Sequence, residues 1–83
     1  MKFEQTKRFE KDYQKLPQRI RKQVGQKLGF LLQGRHHPSL RTKKIKSEKD
    51  VYELSITKNY RLTFHIEGDT YMLRKVGTDI LGR

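Results

Sequence analysis

The sequence predicts a two-layer α+β domain, with an N-terminal helical hairpin packed on one face of a small antiparallel sheet, in the order β-α-α-β-β-β. Three observations predict it. From Val51 to Ile66 apolar residues fall on every second position, Tyr52, Leu54 and Ile56, then Tyr60, Leu62, Phe64 and Ile66, which is the period of a strand. From Thr6 to Leu32 they recur at intervals of three and four, the stripe of an amphipathic helix. The 83 residues make one domain, residues 1–83, with room for a single core.

In chain order, Lys2 to Gln5 forms a short first strand with Phe3 turned inward. Thr6 is a candidate N-cap, and Phe9, Tyr13 and Leu16 mark the buried side of the first helix. Pro17 interrupts that helix and suits the first turn of a second. In the second helix Ile20, Val24, Leu28 and Leu31 form the stripe, and Leu32 widens it. Gly25 and Gly29 lie on one face of this helix, where each costs about 1 kcal/mol relative to alanine; close backbone approach to the first helix or the sheet is the simplest reason for them. Gly34 ends the helix, and Pro38 keeps it from restarting.

Arg35 to Asp50 reads as an irregular basic connection. The hairpin follows, with a tight turn at Lys58-Asn59, since Asn tolerates positive φ. Glu67-Gly68-Asp69 is a second turn. Thr70 to Val76 makes the last strand, with Tyr71 and Leu73 inside; placing Met72 and Val76 inside instead would leave Arg74 facing the core. The end, from Gly77 to Arg83, is a turn with two apolar residues that could tuck under the sheet.

Composition narrows the function. Net charge is +11, which points to a polyanionic partner. Residues 1–50 carry 15 Lys/Arg against 5 Asp/Glu, whereas residues 51–83 carry 5 against 4, so the basic field belongs to the first half. Nucleic acid is the default partner of such a field, because each neutralised phosphate releases counterions; a solvated helix surface or an interface for an acidic protein would look the same by charge alone. No apolar run is long enough to span a membrane, Met1-Lys2 opens no signal peptide, and cysteine is absent. A cytoplasmic protein with no cofactor and no metal site is expected, since only His36, His37 and His65 remain as soft ligands.

Function is sought on the polar side of the hairpin, where Glu53, Ser55 and Thr57 meet Arg61, Thr63 and His65. The basic connection could clamp phosphates there through Arg41, Lys43, Lys44 and Lys49, because crowded ammonium groups repel one another unless an anion joins them. His65 is a possible base, but lies four residues, about 13 Å, along the strand from Arg61.

These residues also carry a resemblance. The order strand, helix pair and basic loop, followed by V-Y-E-L-x-I-x-x-x-Y-R-L-T-F-x-I-x-G-D and a closing V-G-T-D-I-L, resembles the RelE/ParE superfamily of toxins from type II toxin-antitoxin pairs over Phe3 to Leu81. The resemblance implies a RelE-like fold and a toxin held inactive by a cognate antitoxin. It implies either a ribosome-dependent endoribonuclease that cuts mRNA and contacts rRNA, or a ParE-like inhibitor of DNA gyrase with no enzymatic activity; a basic nucleic-acid-binding homologue of weakened catalysis is a third reading. RNA cleavage needs a base for the 2′-OH, a cation for the phosphoryl oxygens and an acid for the leaving oxygen. Arg61 matches the arginine that RelE-like nucleases carry on this strand, although an arginine paired with Glu53 across the hairpin would read the same. Lys46 and Asp79 are the remaining catalytic candidates by position. Glu53 and Ser55 stand where RelE-type lysines are expected, and Thr78 is followed directly by Asp79 where many relatives place a histidine.

Overall fold

The computed structural model describes residues 1–46 and 48–78. The elements are β1 (Lys2–Gln5), α1 (Lys7–Gln14), α2 (Gln18–Gln33), a 3₁₀ turn (Pro38–Leu40), β2 (Lys43–Lys44), β3 (Tyr52–Ser55), β4 (Arg61–Glu67) and β5 (Thr70–Gly77). The strands form one sheet in the order β1-β5-β4-β3-β2.

The two-layer α+β architecture agrees with the sequence reading, but the sheet is mixed rather than antiparallel, and it has one strand more. β1 runs parallel to β5, with Lys2 opposite Thr70 and Gln5 opposite Leu73. A four-residue strand carries no directional signal of its own, and its orientation is set by α1, which must cross the sheet as soon as β1 ends. The extra strand is Lys43-Lys44, antiparallel to β3, in what reads as irregular connection. Its charge hides it from periodicity, and a two-residue lysine edge is a form that discourages further pairing.

The core lies between the helices and one face of the sheet. Phe9, Ile20, Val24 and Leu31 pack against Leu54, Leu62, Phe64 and Tyr71, and Leu40 of the 3₁₀ turn closes one end. Two helix expectations fail. Leu32 is 52% exposed, at the flank of the stripe and outside the core. Gly25 and Gly29 are exposed and a Cβ at either would meet nothing within 4 Å, so no neighbouring backbone presses on them.

The turns differ as well. The hairpin between β3 and β4 is a longer loop in which the Thr57 hydroxyl accepts from the Asn59 and Tyr60 amides, while Ile56 N–H donates to Tyr60 O. The side-chain acceptor of Thr57 does the work expected of positive φ at Asn59. Gly68, φ 59°, opens the two-residue turn between β4 and β5, where a glycine is required.

A β-bulge resolves the ambiguity in the last strand. Thr63 faces Lys75 but Phe64 faces Leu73, leaving Arg74 as the extra residue. Tyr71, Leu73 and Val76 can therefore all point into the core, which strict alternation forbids. Thr6 secures this irregularity. Its amide donates to Leu73 O, its hydroxyl donates to Arg74 O and accepts from Phe9 N, so one side chain caps α1 and ties it to the bulge. Asp12 of α1 accepts from Val76 N beyond the end of β1, continuing the satisfaction of that edge.

Thr6→Ala removes a cap and a part-buried hydrogen bond together, and should destabilise the fold by about 1–2 kcal/mol. Thermal melting checks this: a fall of about 4–8 °C per kcal/mol is expected for a domain of this size, with Thr6→Ser close to the native value.

Candidate active site

The opposite face of the sheet carries no helix among the described residues. Lys43, Glu53, Thr63 and Lys75 stand in one row across four strands, and Ser55, Arg61 and Gly77 in the next. The bulge adds Arg74 to this side. The result is a cationic surface around one buried carboxylate.

That carboxylate is Glu53, whose side chain is only 3% exposed. Its Oε1 lies 3.7 Å from Lys43 Nζ and 3.7 Å from Arg61 Nε, close enough for charge attraction but long for hydrogen bonds. Its Oε2 is buried without a hydrogen-bond partner, as is Thr63 Oγ1 beside it. A buried carboxylate oxygen without a donor is costly in a fold that could have placed threonine or valine there.

Arg61, 31% exposed, is held from behind. Its Nη1 donates to Thr57 O at 2.6 Å and to Tyr60 O at 3.3 Å, so the hairpin turn fixes the guanidinium with its Nε turned toward Glu53, on the edge that an incoming anion would share. The expected pairing of Arg61 with Glu53 is present, diagonally between neighbouring rows.

The other expected site residues fall in different places. Lys43 stands over Glu53. Arg41 shares a cleft with Arg61 at the end of the sheet. Lys44, opposite Tyr52, leaves its strand on the helix side and lies 3.9 Å from Asp50. Lys49 is exposed in the turn before β3. Lys46 follows Ile45, whose amide donates to Val51 O, four residues and about 13 Å along β3 from the pairing of Ser55 with Arg61. The structure thus does not bring Lys46 to Arg61; a charged loop has no periodicity from which its register could be read, and Lys43 occupies the place beside Glu53. Asp79 lies outside the described residues.

His65 belongs to a separate network. Arg74 Nη1 lies 2.9 Å from His65 Nδ1, and His65 Nε2 lies 2.6 Å from Glu67 Oε2. A guanidinium can only donate, so Nδ1 accepts and Nε2 carries the proton given to Glu67. Glu48 completes the chain at 3.6 Å from Arg74 Nη2. Both imidazole nitrogens are engaged, at the end of β4 remote from Arg61.

The residue that the sequence reading passed over as a site group is Glu53. The available signal was an acid alternating with apolar residues on an inner strand, a position where solvation has to be surrendered.

The ParE-like toxin domain matches residues 18–78 of this sequence. The chain belongs to that family. The RelB-RelE antitoxin-toxin complex from Methanococcus jannaschii contains a chain 28% identical to it, with a TM-score of 0.73 over 89% of this chain and 87% of that one. The YoeB/ParE toxin from Agrobacterium tumefaciens superposes with a TM-score of 0.82 at 14% identity, over 94% and 98% of the two chains. The intact E. coli RelBE complex gives 0.73 at 22% identity, over 92% and 93%. At these last two identities the likeness speaks for the fold. No curated protein matches the sequence. This ParE-like toxin domain has the fold of the RelE and YoeB structures, and the helix pair, mixed sheet and open cationic face described above are its frame.

Glu53→Gln in this ParE-like toxin should melt at or above the native temperature. The substitution removes a buried charge, and the cations left behind, 72% and 31% exposed, return to solvent at little cost. A drop of several degrees would mean that Glu53 is a structural ion-pair partner instead.

Proposed function

We propose that this ParE-like toxin is an endoribonuclease that cuts mRNA in translating ribosomes in the cytoplasm and is held inactive by a cognate antitoxin. The observation that carries the reading is the buried carboxylate of Glu53 beneath two cations that solvent can reach, Lys43 and Arg61. An incoming phosphodiester competes for those cations. As Lys43 and Arg61 turn to the phosphoryl oxygens, they withdraw from Glu53, whose Oε2 has no donor to satisfy it, and the carboxylate is left to accept the proton of the attacking 2′-OH. The 2′ oxygen bonds to phosphorus, the bond to the 5′ oxygen breaks, and a cyclic phosphate is left on the upstream fragment. Arg61, braced by Thr57 and Tyr60 carbonyls, offers the Nε–Nη2 edge that it turns away from Glu53 to the charge that builds on the phosphoryl oxygens. Lys43 has the proton and the reach to protonate the leaving 5′ oxygen.

The antitoxin is supported by the Methanococcus jannaschii and E. coli relatives, which are antitoxin-toxin complexes. Its surface is expected to be acidic or amphipathic, to match the basic half of the chain.

Mapping transcript ends after induction in translating cells, with and without the antitoxin, tests the reading. Codon-aligned cuts are expected from the native chain, reduced by about 100- to 1,000-fold in Glu53→Gln and Arg61→Ala. The kinship to ParE favours one alternative, inhibition of DNA gyrase, which requires no acid or base. Intact transcripts with a DNA-damage response, unaffected by Glu53→Gln, would establish that reading in place of cleavage.

A further inference from the structure

Arg41 is one of two non-glycine residues with positive φ among the described residues, at φ 50° and ψ 46°. Left-handed backbone opposes any side chain with a Cβ, and such strain persists only where the surroundings impose it. Here they do. Leu40 is buried completely, His37 stacks on Phe30 with ring centroids 4.5 Å apart, and its Nδ1 accepts from Ser39 N. Lys27 Nζ donates to Ser39 O at 2.9 Å, fastening the 3₁₀ turn to α2. Glycine at position 41 would relieve the strain, yet the position holds an arginine.

The place that Arg41 reaches explains the choice. A cleft of about 450 Å³ opens between α2, the 3₁₀ turn and the β3–β4 hairpin, lined by Lys27, Arg41, Lys58 and Arg61 together with Ser39 and Ser55. Among the described residues no carboxylate lines it. Arg61 has Glu53 as a partner at 3.7 Å, but Lys27, Arg41 and Lys58 converge beside it among hydroxyl donors without a carboxylate in the lining, an arrangement that repels itself unless an anion enters. Arg61 belongs to both this cleft and the Glu53 site, and Ser55 lies two residues, about 7 Å, along β3 from Glu53.

We propose that this cleft is a second phosphate subsite, which holds the phosphodiester flanking the scissile one in a single-stranded RNA, and that Arg41 is kept in a strained backbone to complete it. The proposal rests on the cleavage reading for its substrate, but binding and chemistry separate experimentally. Binding fixes the register of the strand: a phosphate seated here, shared through Arg61, sets which neighbouring phosphate arrives over Glu53.

The test uses a fluorescein-labelled 2′-O-methyl RNA hexamer, which lacks the attacking hydroxyl and cannot be cut. Affinity is measured by anisotropy across a salt series, with melting temperature in parallel. Arg41→Gly should melt at or above the native temperature while binding about 5- to 10-fold more weakly, with the slope of log affinity against log salt reduced by about 0.7, one phosphate contact in a single strand. Lys58→Ala should lose a similar amount, and Lys7→Ala, on α1, should differ little from native. Arg41→Gly and Lys58→Ala binding no worse than Lys7→Ala would overturn the proposal, as would a fall in melting temperature of Arg41→Gly that accounts for its loss of binding. If the native chain cuts no transcript but Arg41→Gly still loses affinity, the cleavage reading fails and the subsite stands.

Discussion

The geometry of the open face depends on the bulge at Arg74. Without the extra residue, the last strand could bury Tyr71 and Leu73 or Val76, but not all three, and one end of the core would be lost. With it, both ends are filled, and two consecutive basic residues come to the cationic side. The irregularity would be expensive if its backbone groups were left without partners. Thr6 takes the Arg74 carbonyl and Asp12 the Val76 amide, so α1 stabilises the bulge from outside the sheet while its own first turn is capped by the same threonine.

The electrostatics of the face run against stability. A designer of a stable sheet would not place an acid at Glu53, where solvent is excluded and one oxygen lacks a donor, nor crowd cations at its rim. Each choice weakens the isolated protein and strengthens its hold on a phosphate that brings its own negative charge. Local rules of folding are broken at the places where chemistry is proposed, and are kept elsewhere in the core.

Much of the fold was legible in the residues. The alternation in Tyr52–Ile56 and Tyr60–Ile66 sets the two inner strands and their common buried face, and the cap at Thr6 is where Phe9 and Tyr13 require it. Less legible were features without periodicity. Lys43-Lys44 joins the sheet only because β3 has an unpaired edge to offer, and the direction of β1 follows from the path of α1. Arg74 looked like an obstacle because alternation assumes an unbroken ladder. In the site, Arg61 was readable as a strand arginine on the polar side. The place of Glu53 beneath it depends on burial, which arises from long side chains of neighbouring strands, and the position of Lys46 depends on the register of a loop. The separation of Gly25 and Gly29 from any packed neighbour was equally hidden, since spacing tells which face they share but not what covers it.

The parallel pairing of β1 with β5 joins Lys2 to Thr70, bringing together the first and last strands of the described chain. During synthesis the first strand emerges long before its sole neighbour exists, and α1, whose cap bonds to the bulge, must wait for the same segment. Long-range pairing of this kind delays the final structure until β5 has been made. A nascent chain therefore carries its cations without the framework that aligns them, and the finished surface comes into being only with that strand.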